Sequence, residues 1–319
     1  MFIGVDIGGT NMTAGLFDSD KNLLATAKVK SKGKESTDIV LGQLFKVINK
    51  LLDDTTKASL KAIGIGIAGF VDSTSGVLKF SANLNLNGVC IKDEVSNKFG
   101  VVSFVENDVN VGVIGEWKHG AGIEHKNIVG IFVGTGIGGG LVVNNEFIFG
   151  ETGGAGAVGH MTINKDGPYC QSCGSQGCLE TYAGKVGIEN RLRYLEKKVS
   201  DSVFINLVKE NEGKLKSSHL QKALASNDKV AIEIMNDAMT NLGIAVANYI
   251  NFINPSLVVF GGGVMSSIGE QCLPYIREVC TKYTFKSILD ACEFKIVGLG
   301  NNSGIYGAME VAANNKFRG

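Results

Sequence analysis

One pattern occurs twice in this chain: an apolar strand, a turn of glycine and threonine, and an apolar strand that returns. In the first copy Phe2-Ile3-Gly4-Val5-Asp6 runs into Ile7-Gly8-Gly9-Thr10-Asn11, and Met12 to Phe17 comes back. In the second, Ile128 to Val133 runs into Gly134-Thr135-Gly136-Ile137-Gly138-Gly139-Gly140, and Leu141-Val142-Val143 leads to an Asn144-Asn145 turn. The copies correspond element for element, which implies an internal duplication of α/β halves, each presenting one glycine hairpin. A length of 319 residues agrees, being more than most single domains need. The expected division is 1–116, completed by a C-terminal helix at about 301–319, and 117–300, which carries the cysteine-rich segment 160–180.

The glycine turns exclude two familiar nucleotide folds. Gly64/Gly66/Gly69 and Gly134/Gly136/Gly139 match G-x-G-x-x-G literally, but each runs into an apparent strand, Phe70-Val71-Asp72 or Leu141-Val142-Val143. A dinucleotide fold needs a helix there, so that pyrophosphate meets its N-terminus. Gly33-Lys34 is followed by Glu35, so no P-loop occurs either. What remains is a hairpin whose backbone N–H groups face a phosphate while Thr10 or Thr135 adds a hydroxyl. Asp6 ends the first strand, where it can hold magnesium directly or through water. A bare tight turn is the alternative for either hairpin alone. The matched pair, the carboxylate and a third cluster, Gly261-Gly262-Gly263 after Phe260, favour phosphate.

A second constellation is HMTINKDGPYCQSCGSQGCLE, which holds His160, Cys170, Cys173 and Cys178, with Glu180 beyond. Three thiols and an imidazole are the donor set of a closed tetrahedral zinc site, structural because no position is left for water. Cys90, Cys272, Cys280 and Cys292 are scattered and read as small buried residues. Lys plus Arg and Asp plus Glu are 31 each, so neither nucleic acid nor an anionic membrane surface is favoured as partner. No apolar run suggests a membrane span, and Met1 leads into Phe-Ile-Gly-Val without a charged leader. The chain reads as cytoplasmic, its cysteines as ligands and free thiols.

Periodicity places a helix at Asp38–Leu52 with Ile39, Leu44 or Phe45, Ile48, Leu51 and Leu52 inward. Another spans Val230–Phe252, with Ile232, Met235, Met239, Leu242, Val246 and Ile250 on one face. Strands are expected at Leu60–Ile67, Val101–Val105 and Ser256–Phe260, and a small-residue helix packed closely on its neighbours at Ser303–Glu310. Asp108 follows a strand at a strand-to-helix junction. An alcohol attacking a phosphoryl group needs a carboxylate to take its proton, and Asp108 suits that role. It equally suits an N-cap for a helix starting at Val109.

These residues together resemble the ROK group of bacterial sugar kinases and related repressors, whose relatives include N-acetylmannosamine kinases. The resemblance rests on Asp6 to Asn11, Glu106-Asn107-Asp108, Gly134 to Gly140, Gly159-His160 and the Cys/Gly run ending in Glu180, and it spans essentially the whole chain. It implies an actin-like, ribonuclease H-like ATPase fold, with sugar and ATP in a cleft between two domains. It implies that magnesium-ATP meets Asp6, Gly8, Gly9, Thr10 and Asn11 and also Gly134, Thr135 and Gly136, with the adenine near Gly261, Gly262 and Gly263. Asp108 matches the base that deprotonates a sugar 6-hydroxyl. Asn107 and Glu180 match sugar ligands, as does Gly69 through its backbone, while Asn83 borders the sugar. His160 would bind zinc through one ring nitrogen and donate to the sugar through the other. Relatives are often homodimers.

Two departures matter. Gln171-Ser172 makes a two-residue spacer where the family usually has one, and C-x-x-C still makes a good zinc knuckle. Ala157 stands where the family commonly has a glutamate near the sugar's C1–C2 edge, so the sugar differs there or another group such as Glu151 substitutes. The expected activity is phosphorylation of a hexose or hexose derivative. The alternatives are an aminosugar kinase and a sugar-binding regulator without a DNA-reading module, since no helix-turn-helix precedes the first strand.

Overall fold

Runs of Ile, Val and Gly with few polar interruptions build strands buried on both faces, as parallel central strands require. In the computed structural model, which describes residues 1–199 and 201–314, Phe2–Ile7 (β1), Asn11–Phe17 (β2), Leu23–Lys30 (β3), Ala62–Ile67 (β4) and Val102–Asn107 (β5) form one sheet. Its order is β3-β2-β1-β4-β5, antiparallel among the first three strands and parallel from β1 onward. Ile128–Val133 (β6), Ile137–Val143 (β7), Glu146–Ile148 (β8), Leu257–Gly261 (β9) and Glu293–Ile296 (β10) form a second sheet. Its order, β8-β7-β6-β9-β10, repeats the first in position and direction. The duplication legible in the hairpins therefore extends to both whole sheets.

The chain divides into two compact units. The first holds Met1–Ile123, Phe149–Ala155 and the chain from Gly298, and the second holds Glu124–Ile148 and Gly156–Val297. In the first, Thr37–Asn49 (α1), Ile91–Phe99 (α2), Asp108–His119 (α3) and a C-terminal helix, Ser303–Ala313, accompany the sheet. That last helix lies on β1 and β4 with no room for side chains between. A carbon added at Gly4 would fall 2.0 Å from the Ile305 carbonyl oxygen, and one at Gly64 1.8 Å from that of Ala308. Residues 315–319 of the expected 301–319 helix lie outside the described residues.

The inward stripe of α1 is Val40, Leu41, Leu44, Val47 and Ile48. Leu44 and Ile48 are buried as expected, but Ile39 is 40% exposed, because at 3.6 residues per turn it lies on the opposite side of the helix from Ile48. The second unit carries Lys185–Glu196 (α4), Ser217–Ala225 (α5), Lys229–Ile253 (α6) and Gly262–Cys280 (α7), which makes the C-terminal helix α8. On α6 the expected Met235, Met239, Leu242, Val246 and Ile250 are buried, while Ile232 stays largely open. By length and composition α6 is apolar enough to cross a membrane, which the absence of an obvious run in the sequence did not suggest. Its buried face instead lies within the second unit's core.

Candidate active site

Ile7, Ile67 and Asn107 stand in register at the carboxyl ends of β1, β4 and β5, the edge where open α/β sheets bind ligands. The first unit's chemistry gathers there. Asn107 caps α3: its Oδ1 accepts from the N–H groups of Val109 at 2.9 Å and Asn110 at 3.1 Å. Its Nδ2 donates to the Gly69 carbonyl at 2.9 Å and to Asp108 Oδ1 at 3.0 Å. The cap that the sequence offered to Asp108 thus belongs to its neighbour, and Asp108 is the first helical residue. Asp108 Oδ1 also accepts from Val109 N–H at 3.0 Å. Oδ2 accepts no hydrogen bond among the described residues. Burial pushes the carboxyl up to about 6, against the hydrogen bonds from Val109, its own backbone and Asn107.

Glu106 is a residue whose part the sequence left blank. It is buried and accepts from Ser73 Oγ at 2.7 Å, Asn107 N–H at 2.7 Å and Asn110 Nδ2 at 2.9 Å. It thereby fixes the cap that in turn fixes Asp108.

Asp6 is the penultimate residue of β1 and makes no hydrogen bond or ion pair among the described residues. Burial, then the negative charge of Asp108, push its carboxyl up to about 7, with Lys28 opposing. A carboxylate so placed suits a divalent cation with oxygen ligands, as magnesium requires. The adjoining turn closes by Gly8 N–H donating to Asn11 O at 3.0 Å and is braced by Ser31, whose N–H reaches Thr10 O at 3.0 Å and whose hydroxyl reaches Gly8 O. The N–H groups of Gly9 and Thr10 donate to nothing among the described residues. Exposed Asn83 lies against this turn: a carbon added at Gly9 would be 2.8 Å from Asn83 Cβ.

In the second unit the matching turn closes by Gly134 N–H donating to Gly136 O at 2.8 Å, leaving Thr135 and Gly136 N–H without an acceptor among the described residues. Gly261 ends β9, and Gly262 and Gly263 begin α7. Gly262 has φ +79°, and a carbon there would lie 2.5 Å from the Val133 carbonyl oxygen, so the third glycine cluster packs directly beside the turn.

His160, Cys170, Cys173 and Cys178 converge, with all four ligand atoms within 4.8 Å of one another. His160 Nδ1 to Cys170 Sγ is 3.8 Å and Cys173 Sγ to Cys178 Sγ 3.6 Å. These are the edge lengths of a tetrahedron with bonds of about 2.0–2.3 Å, so the donor set fits zinc. Nδ1 is the ring nitrogen of His160 that meets Cys170. Glu180 is buried, with Oε2 accepting from Ile137 N–H at 2.9 Å and Oε1 from Ser172 Oγ and, at 3.5 Å, Cys170 Sγ. A carbon at Gly136 would strike Glu180 Oε2 at 2.1 Å, so this carboxylate ties the cysteine segment to the phosphate-type turn. Ala157 is exposed where the chain enters the short 3-10 turn Val158–His160, and Glu151 is exposed on the Phe149–Ala155 segment of the first unit.

A profile described as the ROK family matches residues 2–315. A glucokinase of Thermotoga maritima is 33% identical over 310 residues, 97% of this chain and 96% of that protein. The xylose repressor of Bacillus subtilis is 28% identical over 97% of this chain and 76% of its own length. Among solved structures, a ROK family glucokinase from Streptomyces griseus in complex with glucose and AMPPNP superposes with a TM-score of 0.80 at 29% identity, covering 98% of each chain. These likenesses bear out the actin-like ATPase α/β fold.

Proposed function

Because the chain belongs to the ROK family, we propose that it transfers the γ-phosphoryl group of ATP to the 6-hydroxyl of a hexose or hexose derivative. The observation that carries this reading is Asp108: a carboxylate held by Asn107 and α3, with one oxygen unclaimed, at the carboxyl edge of a sheet. The sugar hydroxyl hydrogen-bonds to Oδ2. As its oxygen attacks the γ-phosphorus in line, the proton passes to Asp108, and the bond from phosphorus to the bridging β–γ oxygen breaks to leave ADP. The unclaimed N–H groups of Gly9, Thr10, Thr135 and Gly136 suit phosphate oxygens. Magnesium entering with ATP supplies charge neutralisation, and Asp6 would hold it.

Asn83 and the backbone of Gly69 border the sugar in this reading. Asn107 acts chiefly by holding Asp108, since both its amide hydrogens are used. Nδ1 of His160 and the three cysteines would hold zinc, which would supply a rigid knot and no chemistry, and Nε2 of His160 would serve a sugar hydroxyl. Glu180, buried beside Cys170 and Ser172, accepts a further sugar hydroxyl in this reading. Glucose is the first expectation, given what the Thermotoga and Streptomyces proteins are named for. An N-acetylhexosamine is the second, because Ala157 leaves the C1–C2 edge without its usual carboxylate. ADP release should be measured with glucose, mannose, N-acetylglucosamine and N-acetylmannosamine. Turnover dependent on one of these sugars is expected. Sugar binding without turnover would mark a regulator, and hydrolysis indifferent to sugar would defeat the proposal.

A further inference from the structure

Lys185 has no part in the chemistry described so far, yet it touches both glycine stretches of the second unit. It opens α4, and its N–H donates to the Gly134 carbonyl at 3.1 Å, while Val186 N–H donates to that of Thr135 at 3.3 Å. The start of this helix is therefore laced to the turn. The far end of the side chain reaches the other stretch. A carbon added at Gly263 would lie 3.6 Å from Lys185 Nζ and 3.3 Å from Ser217 Oγ. An ammonium and a hydroxyl thus overhang the first turn of α7.

Neither group is satisfied by the protein. Lys185 Nζ and Ser217 Oγ make no hydrogen bond or ion pair among the described residues. The carboxylate that acts on Lys185 is Glu189, which is committed elsewhere: Oε1 accepts from Leu215 N–H at 2.8 Å, and Oε2 lies 3.8 Å from Arg193. Burial lowers the Lys185 ammonium from its ordinary value. A partly desolvated cation without a counter-ion is costly, and a ligand anion offsets that cost.

Resting on the kinase reading above, we infer that Lys185 Nζ binds a phosphate that stays with the departing ADP, with Ser217 Oγ as second donor. A cation fixed there neutralises charge gathering on the leaving group as the β–γ bond breaks. The N–H groups of Thr135 and Gly136 meet the same phosphate chain from the turn.

The test is calorimetric binding of ADP, AMP and adenosine to the full chain, its Lys185→Met and its Lys185→Arg variants. Methionine keeps the apolar stem and removes the charge, so the unliganded melting temperature should hold. Lys185→Met is expected to weaken ADP by at least about tenfold, as loss of a charge-assisted hydrogen bond implies, with adenosine unaffected and Lys185→Arg close to the parent. KM for the sugar should not change. Equal ADP affinity in Lys185→Met and the parent would overturn the inference. So would an equal loss for adenosine, which would assign Lys185 to the nucleoside or to the fold. Failure of the parent chain to bind any nucleotide would remove the kinase reading and this one with it.

Discussion

Asp6 and Asp108 stand at the carboxyl edge of one sheet, on β1 and just past β5 with β4 between them, and both carboxyls sit above their ordinary range, at about 7 and about 6. Asp108 accepts a proton only when ionised, so kcat/KM should fall about tenfold per unit of acidity below the pKa near 6. A profile flat down to about pH 4.5 would assign the base elsewhere. The same shift has an opposite signature in stability. A carboxyl near 3.9 when unfolded and near 6 when folded favours the native state below the first value, and that contribution is lost as pH rises through the second. Asp108→Asn, which cannot ionise, should therefore melt at or above the parent's temperature at about pH 8, while losing activity. A clear drop in melting temperature there would make Asp108 a structural cap, contrary to the hydrogen bonds of Asn107.

Between residue and fold lie the elements that hold these groups. The cysteine segment is tied to β7 through Glu180, so Cys173→Ser should lose zinc and raise KM for the sugar. Metal analysis beside steady-state kinetics tests this, and an unchanged KM in the metal-free variant would refute it. At the other end of α3, Glu116 is fully buried and accepts from Ala121 N–H at 3.0 Å, Gly298 N–H at 2.8 Å, Leu299 N–H at 3.0 Å and Ser303 Oγ at 2.6 Å. Glu116→Ala strands these donors in the interior and should cost about 3 kcal/mol in urea unfolding, with a loss under about 1 kcal/mol arguing against the hub. The strands, the glycine turns and the convergence of His160 with Cys170, Cys173 and Cys178 were legible because each is a local pattern. Glu116 was not, since Gly298, Leu299 and Ser303 lie far along the chain and nothing near Glu116 marks it. Lys185 reads as an ordinary first-turn lysine until Gly263 is brought beside it. The Asn107–Asp108 pair was half legible: both side chains can cap, and only Gly69, distant in the chain, together with the neighbouring Glu106 decides which one does.

At the scale of the molecule, one sheet topology occurs twice and has been specialised differently. The first copy carries Asp6, Asp108 and the Gly8–Thr10 turn, and the second carries the Gly134–Gly136 turn, Lys185 and the cysteine segment. The hairpins announced the duplication, while its extension to the fourth and fifth strands had no repeated motif to reveal it. Residues assigned to the reaction come from both copies, yet the account depends on one proton transfer. The most direct test is the rate of sugar-dependent ADP formation by Asp108→Asn at saturating ATP and sugar, with ADP affinity measured on the same preparation. The account predicts a fall of about 10²–10⁴-fold with ADP binding retained. A variant that still phosphorylates the sugar at a rate comparable with the parent would contradict it.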